Sequence, residues 1–165
     1  MTSLGLGGNV YAFDSTTIEL CLETFKWALF RKKQKKGGIK VHTLYDVETS
    51  IPTFFHITEA RVNDMNAMDA IPYEENYFYI FDRGYNDFKR LHGIESIGAY
   101  FVVRGKKNND FKPTKWTRRF PPGSGILSDS VGYMNSQFTK QKYPDLIRLM
   151  SMNALVLPNR VYLIV

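Results

Sequence analysis

A chain of 165 residues with 44% hydrophobic, 15% aromatic and 23% charged residues has the size and make-up of one globular domain, which excludes disorder over its whole length. Lysine and arginine outnumber aspartate and glutamate 22 to 16, and the net charge of +6 favours a polyanionic partner. The single cysteine, Cys21, excludes an intramolecular disulfide framework and a cysteine-rich zinc site, and points to a reducing, cytoplasmic setting. No apolar run reaches the roughly 20 residues of a membrane helix, and residues 1–8 carry neither the basic start nor the apolar stretch of a secretory signal.

The opening Leu4-Gly5-Leu6-Gly7-Gly8 reads as a linker or a cut end. Val10-Tyr11-Ala12-Phe13 predicts a short buried strand that stops at Asp14-Ser15-Thr16-Thr17. Residues 17–30 mix helical and strand signals, and their class stays open. The stretch Arg31-Lys32-Lys33-Gln34-Lys35-Lys36, closed by Gly37-Gly38, reads as an exposed basic turn or loop. Ile39, Val41, Thr43 and Tyr45 alternate with Lys40, His42 and Leu44 and predict a strand over 39–46. Residues 47–50 make a turn, 51–57 a second strand, and the two pair as a hairpin. Asn63-Asp64-Met65-Asn66 caps a helix that runs through Asp69 and Ala70 and breaks at Pro72. The apolar run Tyr77-Phe78-Tyr79-Ile80-Phe81 predicts a strand ending at Asp82-Arg83-Gly84-Tyr85. Phe88, Leu91 and Ile94 mark a short amphipathic helix over 87–94, and 99–104 is another strand.

Strands alternating with helices predict an α/β sheet. Beyond Gly105 the character changes. Residues 116–120, 125–133 and 145–149 read as short strands with Pro/Gly turns and no helix between them, a small β-rich annex. The tail is apolar to its last residue, as expected of a chain cut within a core strand.

Two aspartates carry the chemical argument. Asp14 directly follows one apolar strand and Asp82 directly follows another. Functional groups of α/β sheets gather outside the carboxyl ends of strands. If the two strands are neighbours, two carboxylates meet at one sheet edge. They repel unless a cation lies between them, and hard oxygen donors suit Mg²⁺ or Mn²⁺. Two such ions about 3.5–4 Å apart activate a water and stabilise the leaving oxygen of a phosphodiester. The bland alternative for a lone aspartate after a strand is a turn or helix cap.

Tyr11-Ala12-Phe13-Asp14-Ser15-Thr16-Thr17 resembles the first acidic motif of DDE transposases of the IS4 group. Residues 38–46 resemble the β-hairpin strand that follows it, and Asp82-Arg83-Gly84-Tyr85 matches the second acidic motif, Asp-x-Gly-Tyr or Phe. The ordered combination spans residues 10–143. The resemblance implies an RNase H-like mixed sheet flanked by helices, with a β-rich C-terminal insertion segment. It implies Asp14 and Asp82 as catalytic metal ligands for Mg²⁺ (or Mn²⁺), and DNA, both transposon ends and target, as partner. It further implies a bacterial cytoplasmic setting, no membrane, and allows a homodimer of the full-length protein. The family's third motif, Tyr-x-x-Arg-x-x-x-Glu with a lysine further on, is not here: the last glutamate is Glu95, and only Asp110, Asp129 and Asp145 follow. The chain therefore reads as the central portion of a transposase. Residues 1–9 are a linker or truncated end, 10–105 a partial catalytic core and 106–165 a partial β-rich insertion. The rival readings are a non-catalytic DNA-binding or regulatory remnant, and another two-metal nuclease with its own third carboxylate, such as Asp145.

Arg31, Lys32, Lys33, Lys35 and Lys36 form one candidate DNA-binding region. Lys106, Lys107, Lys112, Lys115, Arg118 and Arg119, interleaved with Phe111, Trp116 and Phe120, form another. Trp116 reads as a small annex core. Gly84 permits a tight turn with positive φ, and Tyr85 packs beneath it. His42, His56 and His92 lack metal-ligand spacing and read as structural, and Cys21 reads as a small buried residue. No P-loop or dinucleotide fingerprint is present, which argues against an ATPase or a Rossmann dehydrogenase.

Overall fold

The computed structural model describes residues 6–21, 29–31, 36–106, 110–116, 120–121, 123–153 and 160–164. Ten strands are found there: β1 (Val10–Leu20), β2 (Leu29–Arg31), β3 (Lys36–Asp46), β4 (Ile51–Glu59), β5 (Phe78–Phe81), β6 (Tyr100–Arg104), β7 (Phe111–Trp116), β8 (Ile126–Met134), β9 (Ile147–Asn153) and β10 (Arg160–Ile164). Three α-helices accompany them: α1 (Asp64–Ala67), α2 (Phe88–Ser96) and α3 (Gln137–Lys142).

The first five full strands stand in the order β4-β3-β1-β5-β6. β4, β3 and β1 are antiparallel neighbours, whereas β1, β5 and β6 run parallel. The tight turn at 47–50 makes the first hairpin, with Ser50 at φ 60°. The parallel pairs need crossovers, which α1 and α2 supply. This mixed α/β sheet is the RNase H-like arrangement. β10, β9, β8 and β7 extend it as an antiparallel meander, and β10 meets β6 through Leu163↔Arg104 and Ile164↔Val103. Among the described residues no helix is long and apolar enough to cross a membrane.

One face of the sheet is buried. Tyr11, Phe13, Leu44, Tyr79, Phe81, Phe101 and Val103 project from it into a core completed by Ala67, Met68, Ile71, Leu91 and Ile94 from the helical layer, and by Met134, Tyr143 and Ile147 from the meander. α1 is capped by Asn63, whose side chain accepts from Met65 N–H, and α2 by Asp87, which accepts from Lys89 and Arg90. A 3-10 turn, Met68–Ala70, carries the chain from α1 toward Pro72.

Several expectations change. β1 does not stop at Asp14; it runs on to Leu20 because ten of its residues pair with β3. Gly37 and Gly38 lie inside β3 rather than in a loop, opposite Leu20 and Glu19. Of the annex strand expected over 116–120, residues 117–119 lie outside the described residues; Trp116 ends β7 at 72% exposure instead of forming an annex core. The annex also holds a helix, α3, started by the Ser136 side chain accepting from Thr139 N–H. Cys21 is exposed.

Gly132 sets how closely β7 lies on β8. A Cβ there would sit 2.1 Å from the Lys112 carbonyl oxygen and 2.7 Å from Pro113 Cα. We expect Gly132→Ala to lose about 1–3 kcal/mol of stability and to speed amide exchange across β7 while β1 and β5 stay protected. Unchanged exchange in β7 would refute the close approach.

His42 gives a pH dependence. It is fully buried, stacks on Phe13, and bonds Thr58 Oγ1 through Nε2 at 3.0 Å, while Nδ1 has no partner. Burial lowers its pKa; the Asp64 charge opposes this, and His56 and Lys40 reinforce it. The unfolded chain therefore takes up this proton first. His42's contribution is complete above about pH 6.5 and declines as the pH falls below that, by up to about 1.4 kcal/mol per unit. Thermal melts from pH 7.5 to 5 should show the decline, and His42→Gln should flatten it. An unchanged slope would refute the assignment.

Candidate active site

Val10, Tyr11, Ala12 and Phe13 of β1 stand opposite Phe78, Tyr79, Ile80 and Phe81 of β5. The pairing ends at Phe13↔Phe81, and the next residues are Asp14 and Asp82. Phe13 and Phe81 point into the core. Strand alternation therefore turns Asp14 and Asp82 to the opposite, open face, and both are exposed. Phe81 also pairs with Val103, so Arg104 takes the next place in the same row. Its Nη1 lies 3.7 Å from Asp82 Oδ1. Three parallel strands thus present Asp14, Asp82 and Arg104 in one row, just past the last rung of their parallel pairing.

Local structure fixes each aspartate differently. Asp14 Oδ1 accepts from Ser15 N–H at 2.8 Å. Asp82 is the extended residue before a 3-10 turn, Arg83–Tyr85, and its carbonyl accepts from Tyr85 N–H at 3.1 Å. Gly84 sits in this turn without positive φ, and a Cβ there would meet nothing within 4 Å. The turn does not require glycine sterically.

Tyr85 packs as expected, its ring centroid 5.4 Å from Phe13 and 5.9 Å from Phe81. Its buried hydroxyl lies near Ser15 without a hydrogen bond of good geometry. Burial pushes its pKa up to about 12, and the Asp64, Asp14 and Asp82 charges add to the rise. The phenol stays protonated at neutral pH.

Behind Asp14, on the core face, lies a polar group that the sequence reading did not single out. Ser15 Oγ donates to Asp64 Oδ1 at 3.0 Å. Lys40 Nζ is 3.0 Å from the same oxygen and donates to the Val62 carbonyl at 2.8 Å. The contact links positions 15 and 64, so no local pattern announces it. Arg104 was also missed, although its place at the end of a strand parallel to the Asp82 strand was a usable signal.

The carboxylate oxygens of Asp14 and Asp82 are hard donors, and they fit a divalent cation as two of its ligands. Among the described residues no group of three His, Cys, Asp or Glu side chains can hold a metal ion. Asp145 is bound to His92 Nε2 at 2.9 Å, Asp110 to Asn135, and Asp129 to Arg148. Lys106 is exposed two residues beyond Arg104, and Lys112 and Lys115 are exposed on β7. Arg31 and Lys36 are paired backbone positions of β2 and β3. Lys32, Lys33, Lys35, Lys107, Arg118 and Arg119 lie outside the described residues.

Comparison with known proteins bears on this arrangement. A search of curated proteins finds no match. A solved piggyBac transposase, in a synaptic complex with hairpin DNA, is similar in fold at a TM-score of 0.50 and 14% identity; the match covers 95% of this chain and 33% of that one. The chain thus spans about a third of that transposase's length. The family model described as "Transposase DDE domain" matches residues 5–148, a span that includes both aspartates. The family implies use of a divalent metal, and by that match the chain belongs to the transposase DDE domain family.

Proposed function

We propose that the chain is the carboxylate-bearing core of a bacterial DNA transposase of the IS4 group, working in the cytoplasm on transposon ends and target DNA. Residues 10–105 form the core and 106–165 the insertion segment. The observation that carries this reading is the register of two parallel strands, which sets Asp14 and Asp82 side by side on an open face. That geometry suits Mg²⁺ or Mn²⁺ shared by the two carboxylates. When bound there, the cation supplies Lewis acidity toward the attacking water and the leaving oxygen of a phosphodiester.

The protein's own residues position and neutralise. Arg104 pairs with Asp82 in the free site and is placed to take a non-bridging phosphate oxygen once the carboxylate turns to a cation. Lys106, Lys112 and Lys115 add exposed positive charge for flanking phosphates. Water hydrolyses the phosphodiester at the transposon end, and the freed 3′-hydroxyl attacks a second strand. No covalent bond to the protein forms, so the contribution is orientation and electrostatics. The resemblance assigns a third ligand to a glutamate on a helix. On the open face the described residues offer two carboxylates, Asp14 and Asp82, which supports weak cleavage by this chain alone. The same count favours, as a second reading, a DNA-binding remnant without catalysis.

The test is direct. We expect the chain to bind duplex DNA weakly, with affinity falling steeply as salt rises, and to cleave little in Mg²⁺ or Mn²⁺. In the full-length enzyme, Asp14→Asn or Asp82→Asn should abolish strand cleavage and leave DNA affinity unchanged or higher, because each removes a metal ligand and a negative charge facing phosphate. Equal losses of binding and cleavage would mark both aspartates as structural. Strong Asp14-dependent cleavage by this chain would show a third ligand among its own residues.

A further inference from the structure

We infer that Asp64 is a positioning residue for Asp14: through Ser15 it holds the strand where the carboxylate leaves it. This rests on the reading of Asp14 and Asp82 as a divalent-cation site.

The argument begins with lateral support. Up to Phe13, β1 is paired with β3 on one side and β5 on the other. At Asp14 the pairing with β5 has ended, while that with β3 continues through Asp14↔Thr43 and Ser15↔His42. A strand hydrogen-bonded on one side is freer to twist, and twist at Asp14 swings its carboxylate away from Asp82. Ser15 projects to the face opposite Asp14. Fixing the Ser15 side chain therefore fixes the direction in which Asp14 leaves the strand.

Asp64 does the fixing. Its Oδ1 accepts from Ser15 Oγ at 3.0 Å, joining β1 to the first turn of α1. Asp64 is itself tied down. Asn63 Oδ1 accepts from Met65 N–H at 3.1 Å, and Lys40, whose side chain is 14% exposed, grips both Asp64 and the Val62 carbonyl. The clamp thus runs from β3 through Lys40, Asp64 and Ser15 to β1. The Lys40 charge also offsets that of Asp64. A third carboxylate can therefore lie behind the pair without drawing the cation to itself, and Asp64 forms no metal-holding group of three with Asp14 and Asp82.

A ligand and a positioning residue respond differently to substitution. Asp64→Asn keeps an oxygen that accepts from Ser15, whereas Asp64→Ala removes it and Ser15→Ala removes the donor. The experiment is Mn²⁺ binding to the intact 165-residue chain, followed by the electron paramagnetic resonance signal of free Mn²⁺, with folding checked by circular dichroism. Asp14→Asn and Asp82→Asn should weaken binding by about ten-fold or more. Asp64→Ala and Ser15→Ala should weaken it about five-fold, the scale of one hydrogen bond. Asp64→Asn should stay within about two-fold of the unmodified chain. If Asp64→Ala does not fold, Ser15→Ala, which deletes a single oxygen, carries the test. Loss on Asp14→Asn with none on Ser15→Ala overturns the positioning role and leaves the metal site standing. Loss on Asp64→Asn as large as on Asp14→Asn makes Asp64 a ligand and overturns it too. Unchanged binding on Asp14→Asn removes the metal-site reading, and the inference falls with it.

Discussion

The arrangement at the open sheet edge hangs on one rung, Phe13 opposite Phe81. Side chains alternate along a strand, so a slip of one residue in either strand would exchange core and solvent faces. One aspartate would then face the helices and a phenylalanine would face water. The aromatic side chains specify against that slip. Phe13 and Phe81 meet edge to face at 6.1 Å, Tyr85 packs on both, and Tyr11 meets Tyr79 two rungs earlier, on the same face, at 5.7 Å. Each pair adds specific geometry to its buried area. The apolar core and the carboxylate pair are two faces of the same register.

Charge is arranged on both sides of that rung. On the open face Arg104 stands beside Asp82 at 3.7 Å, with both side chains substantially exposed. An exposed pair at that distance contributes little to stability, so exchanging Arg104 for another cation at Asp82 costs little. On the core face Lys40 is nearly buried, and its Nζ is shared between Asp64 and a backbone carbonyl. Asp64 is more exposed, so it is the packing of Lys40 and its two contacts that tie the lysine into the fold. The two cations therefore differ in kind: Arg104 is exchangeable, and Lys40 is structural.

Signals confined to one element were legible in the sequence. Alternation over 39–46 and the apolar run at 77–81 located β3 and β5, and Asn63 and Asp87 marked the starts of α1 and α2. Asp14 and Asp82 stood out because each follows such a run. What failed depended on partners far along the chain. Ser15-Thr16-Thr17 reads locally as a strand end, since such hydroxyl side chains compete for backbone groups; pairing with β3 overrides that preference. Gly37-Gly38 reads as a turn, yet both are buried within β3. α3 has no buried residue and so shows no apolar period. Trp116 looked like core by residue type alone, and only the edge position of β7 shows why it is exposed.

The two faces of the sheet answer different needs. The core face carries the aromatic residues that set the register. The opposite face keeps Tyr45, Ile80 and Tyr100 at 37%, 38% and 50% exposure, with Asp14 and Asp82 at its end. Carboxylates on the core face would lie under the helical layer, where a phosphodiester could not reach them and where their desolvation would be costly. On the open face they remain hydrated and accessible, with Arg104 beside Asp82. Placing the charged pair one residue beyond the last buried rung gives it a rigid footing without burying it. The same alternation that excludes Phe13 and Phe81 from water delivers Asp14 and Asp82 to it.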